Sequence, residues 1–142
     1  MRKLLKTLDL HVRSHGTLKN AESIVKKNRI DVSEWKQRTC FTEPSYSKTM
    51  IGCTENVSVY VISWKPGDAS PVHAHPEGGC IMKILQGDLL EEKVDVKTLE
   101  IIAEDLHGVG DTAYIDNAIA YHKITNIGSL NAVSLHVYPT VK

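Results

Sequence analysis

The sequence predicts a mainly β domain, a barrel or sandwich of short strands, behind a cover of short helices. Three observations carry this. From Tyr46 onward apolar residues recur at a period of two, in runs rich in β-branched and aromatic residues. Gly, Pro and Asp separate those runs, as in all-β barrels and sandwiches. Residues 1–38 are instead charge-rich, with apolar positions at helical spacing. A chain of 142 residues suits one domain with one core. Residues 1–142 are therefore expected to form a single unit, with 1–38 as the helical cover and 46–140 as the barrel.

The elements follow in order. Leu4, Leu5, Leu8 and Val12 define the apolar stripe of a first helix, and Gly16 is its expected stop. In "NAESIVKKNR" Asn20 is the expected cap and Ile24–Val25 the buried pair. Asp31 opens the next helix, with Glu34 three residues on, the spacing of a capping box. "NVSVYVISW" (56–64) reads as a strand and "KPGD" (65–68) as a turn. "CIMKILQGDLLEEKVDV" reads as a strand, a Gly-Asp turn and a second strand. "TLEIIAEDL" continues the pattern, "HGVGD" turns, and "TAYID" is a strand. "YHKITNIG" and "NAVSLHVY" are expected to pair as a last hairpin around Gly128–Ser129.

Composition excludes some functions. Lys plus Arg and Asp plus Glu number 17 each, for a formal net charge of zero. No basic field exists for nucleic acid, and no basic run for an anionic membrane. The opening "MRKLLKTLDLHVRSHG" lacks the unbroken apolar stretch of a signal peptide. Nothing later approaches the length of a membrane span. Cys40, Cys53 and Cys80 are an odd, scattered set, so reduced thiols in a cytoplasmic protein are expected. A monomer is expected.

The chemistry concentrates in two stretches. "PVHAHPEGGC" (71–80) puts His73 and His75 one residue apart, which places both on one side of an extended segment. In Ala132–Tyr138 the residues Val133, Leu135 and Val137 point one way and Ser134, His136 and Tyr138 the other. The polar row either faces water at a sheet edge or lines a wet pocket inside a barrel. His122 lies in the expected partner strand of that row. His73, His75, His122 and His136 all fall within period-two segments, and neutral imidazoles suit iron, zinc, copper or nickel better than magnesium or calcium. Three imidazoles without a carboxylate leave a divalent metal its full charge and open positions. Glu91–Glu92 and His107 are expected to be solvated, and Trp64 to pack near the pocket floor.

The spacing of these residues resembles a known family. Gly67, His73, His75, Cys80 and Gly87 stand at the intervals of the first cupin motif, with Cys80 where most cupins carry a glutamate ligand. Gly110, His122 and Asn126 resemble the second motif. Cysteine in place of that glutamate is similar to the cysteine dioxygenase family within the cupin superfamily. "IDNAIAYHKITN", "AVSLHVY" and "SEWKQR" followed by "YSK" are similar to further stretches of that family. The likeness runs from about Asp31 to Tyr138.

The resemblance implies a small cupin (jelly-roll) β-barrel with short N-terminal helices. It makes His73, His75 and His122 ligands of ferrous iron, Fe(II). Cys80 and Tyr138 match a pair that forms a thioether cross-link in animal-type members. Ser134 and His136 match residues that hydrogen-bond the tyrosine hydroxyl, and Tyr46 a tyrosine beside the substrate. The implied partners are a small thiol and O2, and the implied reaction turns L-cysteine into cysteine sulfinate. Two alternatives stand beside it: a dioxygenase for another small thiol such as 3-mercaptopropionate, and a non-catalytic metal-binding cupin.

The departures from the family pattern are specific. Family members hold the substrate carboxylate with the arginine of Tyr-x-Arg. Here the tripeptide is "YSK", so Lys48 takes that place. Lysine offers a mobile point charge where arginine offers a planar two-pronged fork. The Ser-Pro-Pro that follows the last tyrosine in the family is reduced to Pro139, and both ends are short, so a more open pocket is expected.

Overall fold

A computed structural model describes residues 1–140 of the protein. Helix α1 spans Arg2–His15 and buries Leu4, Leu8 and Val12. Gly16 ends it in the left-handed conformation, φ 72°, donating its N–H to Val12 O at 2.7 Å. Helix α2 (Glu22–Lys27) begins after Ala21, so Asn20 is not its cap. Asn20 itself adopts φ 70°, a left-handed turn conformation that Asn tolerates better than most residues. Helix α3 (Val32–Trp35) carries the expected capping box, with the Asp31 N–H donating to the Glu34 carboxylate at 3.1 Å.

Eight strands follow: β1 Ser47–Cys53, β2 Val57–Trp64, β3 Cys80–Gln86, β4 Leu89–Val94, β5 Ile101–His107, β6 Thr112–Ile115, β7 Tyr121–Thr125 and β8 Ala132–Pro139. They form two antiparallel sheets, one in the order β1-β2-β8-β3-β6 and one in the order β5-β4-β7. The expected barrel is thus corrected in one respect: the sheets do not close on each other. The loop before β3 instead runs along β7 through two isolated bridges, Ala69 with Thr125 and His73 with His122.

The expected hairpin of β7 with β8 is overturned. β7 pairs with β4, whereas β8 pairs with β2 on one edge and β3 on the other. Seven of the eight β8 residues are buried, so β8 is a central strand whose two edges are already taken. The connection between β7 and β8 crosses from one sheet to the other. Asn126 fixes that crossing, donating from Nδ2 to Trp64 O at 3.0 Å and Leu130 O at 2.9 Å, and accepting from the Gly128 N–H at 3.0 Å.

The two faces of the large sheet have different neighbours. Val57, Val59, Ile81, Leu135 and Val137 pack against Leu4, Leu8, Val12, Leu18 and Val25 of the helical cover. The cover is pinned by Lys83, whose buried ammonium donates to Val25 O at 3.1 Å, Lys26 O at 3.3 Å and Asn28 O at 2.8 Å, satisfying carbonyls at the end of α2. Alternation therefore turns the other row of β8, Ser134, His136 and Tyr138, towards the second sheet. Register brings Tyr60 opposite His136 and Ile62 opposite Ser134. An aliphatic layer of Ile62, Met82, Ile84, Leu89 and Ile124 fills one part of the space between the sheets. The polar row occupies the rest.

Candidate metal centre

His73, His75 and His122 converge in that space. Nε2 of His122 lies 2.8 Å from Nε2 of His75 and 3.0 Å from Nε2 of His73. Backbone geometry brings them together. The His73 and His122 backbones exchange hydrogen bonds, N to O at 3.0 and 3.3 Å. The His75 N–H donates to Asn117 Oδ1 at 2.9 Å, and Asn117 Nδ2 returns a bond to His75 O at 3.0 Å. Beyond His75, Gly79 takes φ 84°, and a Cβ there would meet the Tyr114 hydroxyl at 2.7 Å and Ile115 O at 2.9 Å. Only glycine permits that turn into β3.

The trio fits a metal cation. His73 Nδ1 bonds Pro71 O at 2.9 Å, and His122 Nδ1 bonds Glu91 Oε2 at 2.8 Å. These acceptors place the protons on Nδ1 and turn both Nε2 lone pairs inward. Facing lone pairs at such distances repel unless a cation lies between them. Burial, reinforced by the neighbouring rings, lowers the His75 pKa to about 3; burial likewise lowers that of His73. Both are thus neutral donors at neutral pH. His75 Nδ1 is shielded from water and has no partner among the described residues. The nitrogen donors favour a first-row transition metal.

Glu91 was expected in solvent and is instead 1% exposed. Besides His122 it accepts from Nε2 of His107 at 3.0 Å, so His107 is not a free surface histidine either. Burial raises the Glu91 pKa, but the hydrogen bonds from His107 and His122 outweigh it and leave the carboxyl at about 2. In the sequence one signal pointed inward. Glu91 shares its strand face with Leu89, two residues before it, which is fully buried. No local pattern singled out Asn117.

A cavity of about 200 Å³ opens beside the histidines. Its lining includes His73, His122, Tyr46, Lys48, Trp64 and Tyr138. Ring stacking on Trp64, centroids 4.7 Å apart, holds Tyr46. The Lys48 side chain stays open to solvent, and its ammonium stands 4.4 Å from the centroids of both Tyr60 and Tyr138. Partial desolvation lowers its pKa. No acidic side chain lines this cavity among the described residues.

The remaining residues form the cavity's inner wall. Trp64 Nε1 donates to Ser134 Oγ at 2.9 Å, and Ser134 Oγ lies 2.7 Å from His136 Nε2. Burial holds His136 neutral, and its Nε2 shares one hydrogen bond with the serine hydroxyl. The bonds of Ser134 therefore run to Trp64 and His136, while the Tyr138 hydroxyl faces Cys80. Cys80 is buried, and its thiol is pushed up to about 12 by burial, partly offset by Tyr138. Burial and the Cys80 thiol also raise the Tyr138 pKa.

Comparison with known proteins bears on family and fold. The family described as cysteine dioxygenase type I matches residues 4–141. The human cysteine dioxygenase type 1 is 27% identical over 128 residues, covering 85% of this chain and 64% of that protein. The chain thus spans about two-thirds of the length of the curated relatives it matches. Among solved structures, a cupin superfamily protein from Desulfitobacterium hafniense superposes with a TM-score of 0.60 at 14% identity, over 81% of this chain and 93% of the other. A cupin domain from Bordetella pertussis gives 0.55 at 17% identity, over 72% of this chain and 100% of the other. At these identities the two structures establish the fold, that of the cupins.

Proposed function

Because this chain belongs to the cysteine dioxygenase type I family, we propose that it is an Fe(II)-dependent thiol dioxygenase with L-cysteine as first substrate. The reaction adds both atoms of O2 to the thiol sulfur and gives cysteine sulfinate, so thiol plus O2 balances with sulfinic acid. The observation that carries the proposal is the meeting of three imidazoles beside a cavity in which Lys48 is the one ammonium or guanidinium group among the described lining residues. His73, His75 and His122 would hold the iron, which when bound supplies the oxygen chemistry.

The residues of the chain bind and orient. Lys48 pairs with the substrate carboxylate and keeps the sulfur end towards the histidines. Tyr138, its pKa raised by burial and by the Cys80 thiol, keeps its proton on the hydroxyl, which faces Cys80 while the residue lines the cavity. Trp64, Ser134 and His136 form a bonded row behind it, so the inner wall keeps its shape as substrate enters. Ile62 and Ile124 line the cavity and limit water.

A second reading is a thiol acid without an amine, such as 3-mercaptopropionate. Lys48, with no carboxylate in the cavity lining among the described residues, favours a substrate carrying net negative charge. The deciding experiment loads purified protein with ferrous iron without air, then adds each thiol and O2. One O2 consumed per sulfinate formed supports the proposal. No sulfinate from either thiol, with iron at full occupancy, refutes it.

A further inference from the structure

Glu91 carries two hydrogen bonds, one on each carboxylate oxygen. Oε2 receives the Nδ1–H of His122 at 2.8 Å and Oε1 receives Nε2 of His107 at 3.0 Å. The three residues come from three adjacent strands, β7, β4 and β5. A carboxylate with one partner still turns about its last bond. With two partners on opposite oxygens its plane is fixed. His107 is the partner that faces away from the imidazole trio. Asp105 stands opposite Glu91 in the β4–β5 register, and Asp111 is also near His107. His107 thus lies among carboxylates and gives its proton to the one that reaches His122.

We infer that His107 is a positioning residue of the metal centre: its hydrogen bond to Oε1 fixes the Glu91 carboxylate so that Oε2 aims at Nδ1 of His122 and Nε2 of His122 aims at the metal. This rests on the assignment of the three histidines as a metal site. His107 touches neither the cavity nor the imidazoles. Its influence passes through Glu91, as carboxylates that bond metal-bound histidines set affinity and ligand orientation. A purely structural role predicts something different, a loss of fold stability with an unchanged site.

The test titrates cobalt(II) into metal-free protein, following visible absorption and measuring affinity by competition with a chelator. Wild type, His107→Phe, His107→Ala and His107→Gln are compared, and the melting temperature of each metal-free form is recorded. Removing the donor is expected to weaken cobalt binding about tenfold or more and to shift its absorption bands. Gln, which keeps an N–H donor, is expected to recover most of the affinity and the wild-type spectrum. His107→Ala serves should the Phe variant fail to fold. Wild-type affinity and spectrum in Phe and Ala overturn the inference, as does a Gln variant no better than Ala. If wild-type protein itself binds no cobalt, the metal-site assignment fails instead.

Discussion

The Lys48 ammonium lies 4.4 Å from the centroid of the Tyr138 ring and the same distance from that of Tyr60. A lysine that would otherwise wander is held between two aromatic faces, which restores some of the fixed direction that an arginine fork has by itself. Removing the charge is expected to cost the carboxylate. Lys48→Ala should raise KM about tenfold or more for L-cysteine and 3-mercaptopropionate, within the range of a charge-assisted hydrogen bond, and leave cysteamine unchanged. Steady-state kinetics on the three thiols decides it. Equal losses on cysteamine would remove Lys48 from the carboxylate.

Tyr60 should matter through its ring alone. Tyr60→Phe is expected to behave as wild type. Tyr60→Leu should raise KM for thiol acids a few-fold, roughly the worth of one exposed cation–π contact, with kcat little changed. An equal effect of Phe and Leu would point to the Tyr60 hydroxyl instead.

Metal removal should be visible in stability. Ferrous iron added without air at about one hundred times its Kd is expected to stabilise the fold by about 2.7 kcal/mol and raise the melting temperature. His122→Ala should abolish that shift. A variant stabilised as much as wild type would place the metal elsewhere.

Cys80 and Tyr138 are neighbours inside the wall, and neither ionises at neutral pH, because burial raises the pKa of both groups. A thioether between them would remove one hydrogen from each, a two-electron oxidation with O2 as the acceptor. After many turnovers with substrate and O2, intact mass under reducing conditions is expected to fall by about 2 Da, the loss of two hydrogens. Cys80→Ser should show no such loss. An unchanged wild-type mass would leave the pair as simple neighbours.

Asp9 ties α1 to the β1–β2 turn. Its carboxylate accepts from Thr54 Oγ at 2.6 Å, the Asn56 N–H at 3.2 Å and Asn56 Nδ2 at 3.1 Å. The Thr54 bond is the chief reason its pKa falls below 3.8. A depressed carboxylate pKa means stability that is present above the unfolded value and lost as pH falls through the folded one. Asp9→Asn should therefore melt below wild type at pH 6, with the gap narrowing as pH falls below 3.8. A gap unchanged at low pH would show that the charge plays no part.

Four histidines fell in period-two segments, and the family resemblance singled out His122 over His136 as the third; the His73–His75 pair was legible in its spacing alone. The alternating row of β8 was legible for the same reason, although its surroundings were not. Sequence periodicity tells which residues share a face, never which strand lies alongside. The β7–β8 hairpin was expected from a turn that in fact carries the chain across to the other sheet. Glu91 shows the same limit. A Glu-Glu pair looks solvated, and only the neighbours β5 and β7 make it a buried hydrogen-bond acceptor.

Because β7 and β8 stand in opposite sheets, His122 and the Tyr138 wall are carried by separate plates with Ile62, Ile84, Leu89 and Ile124 between them. The gap available to a substrate is then a matter of shimming. Trading one methyl group in that aliphatic filling would move the plates and retune which thiol fits, with every polar residue of the centre left as it is.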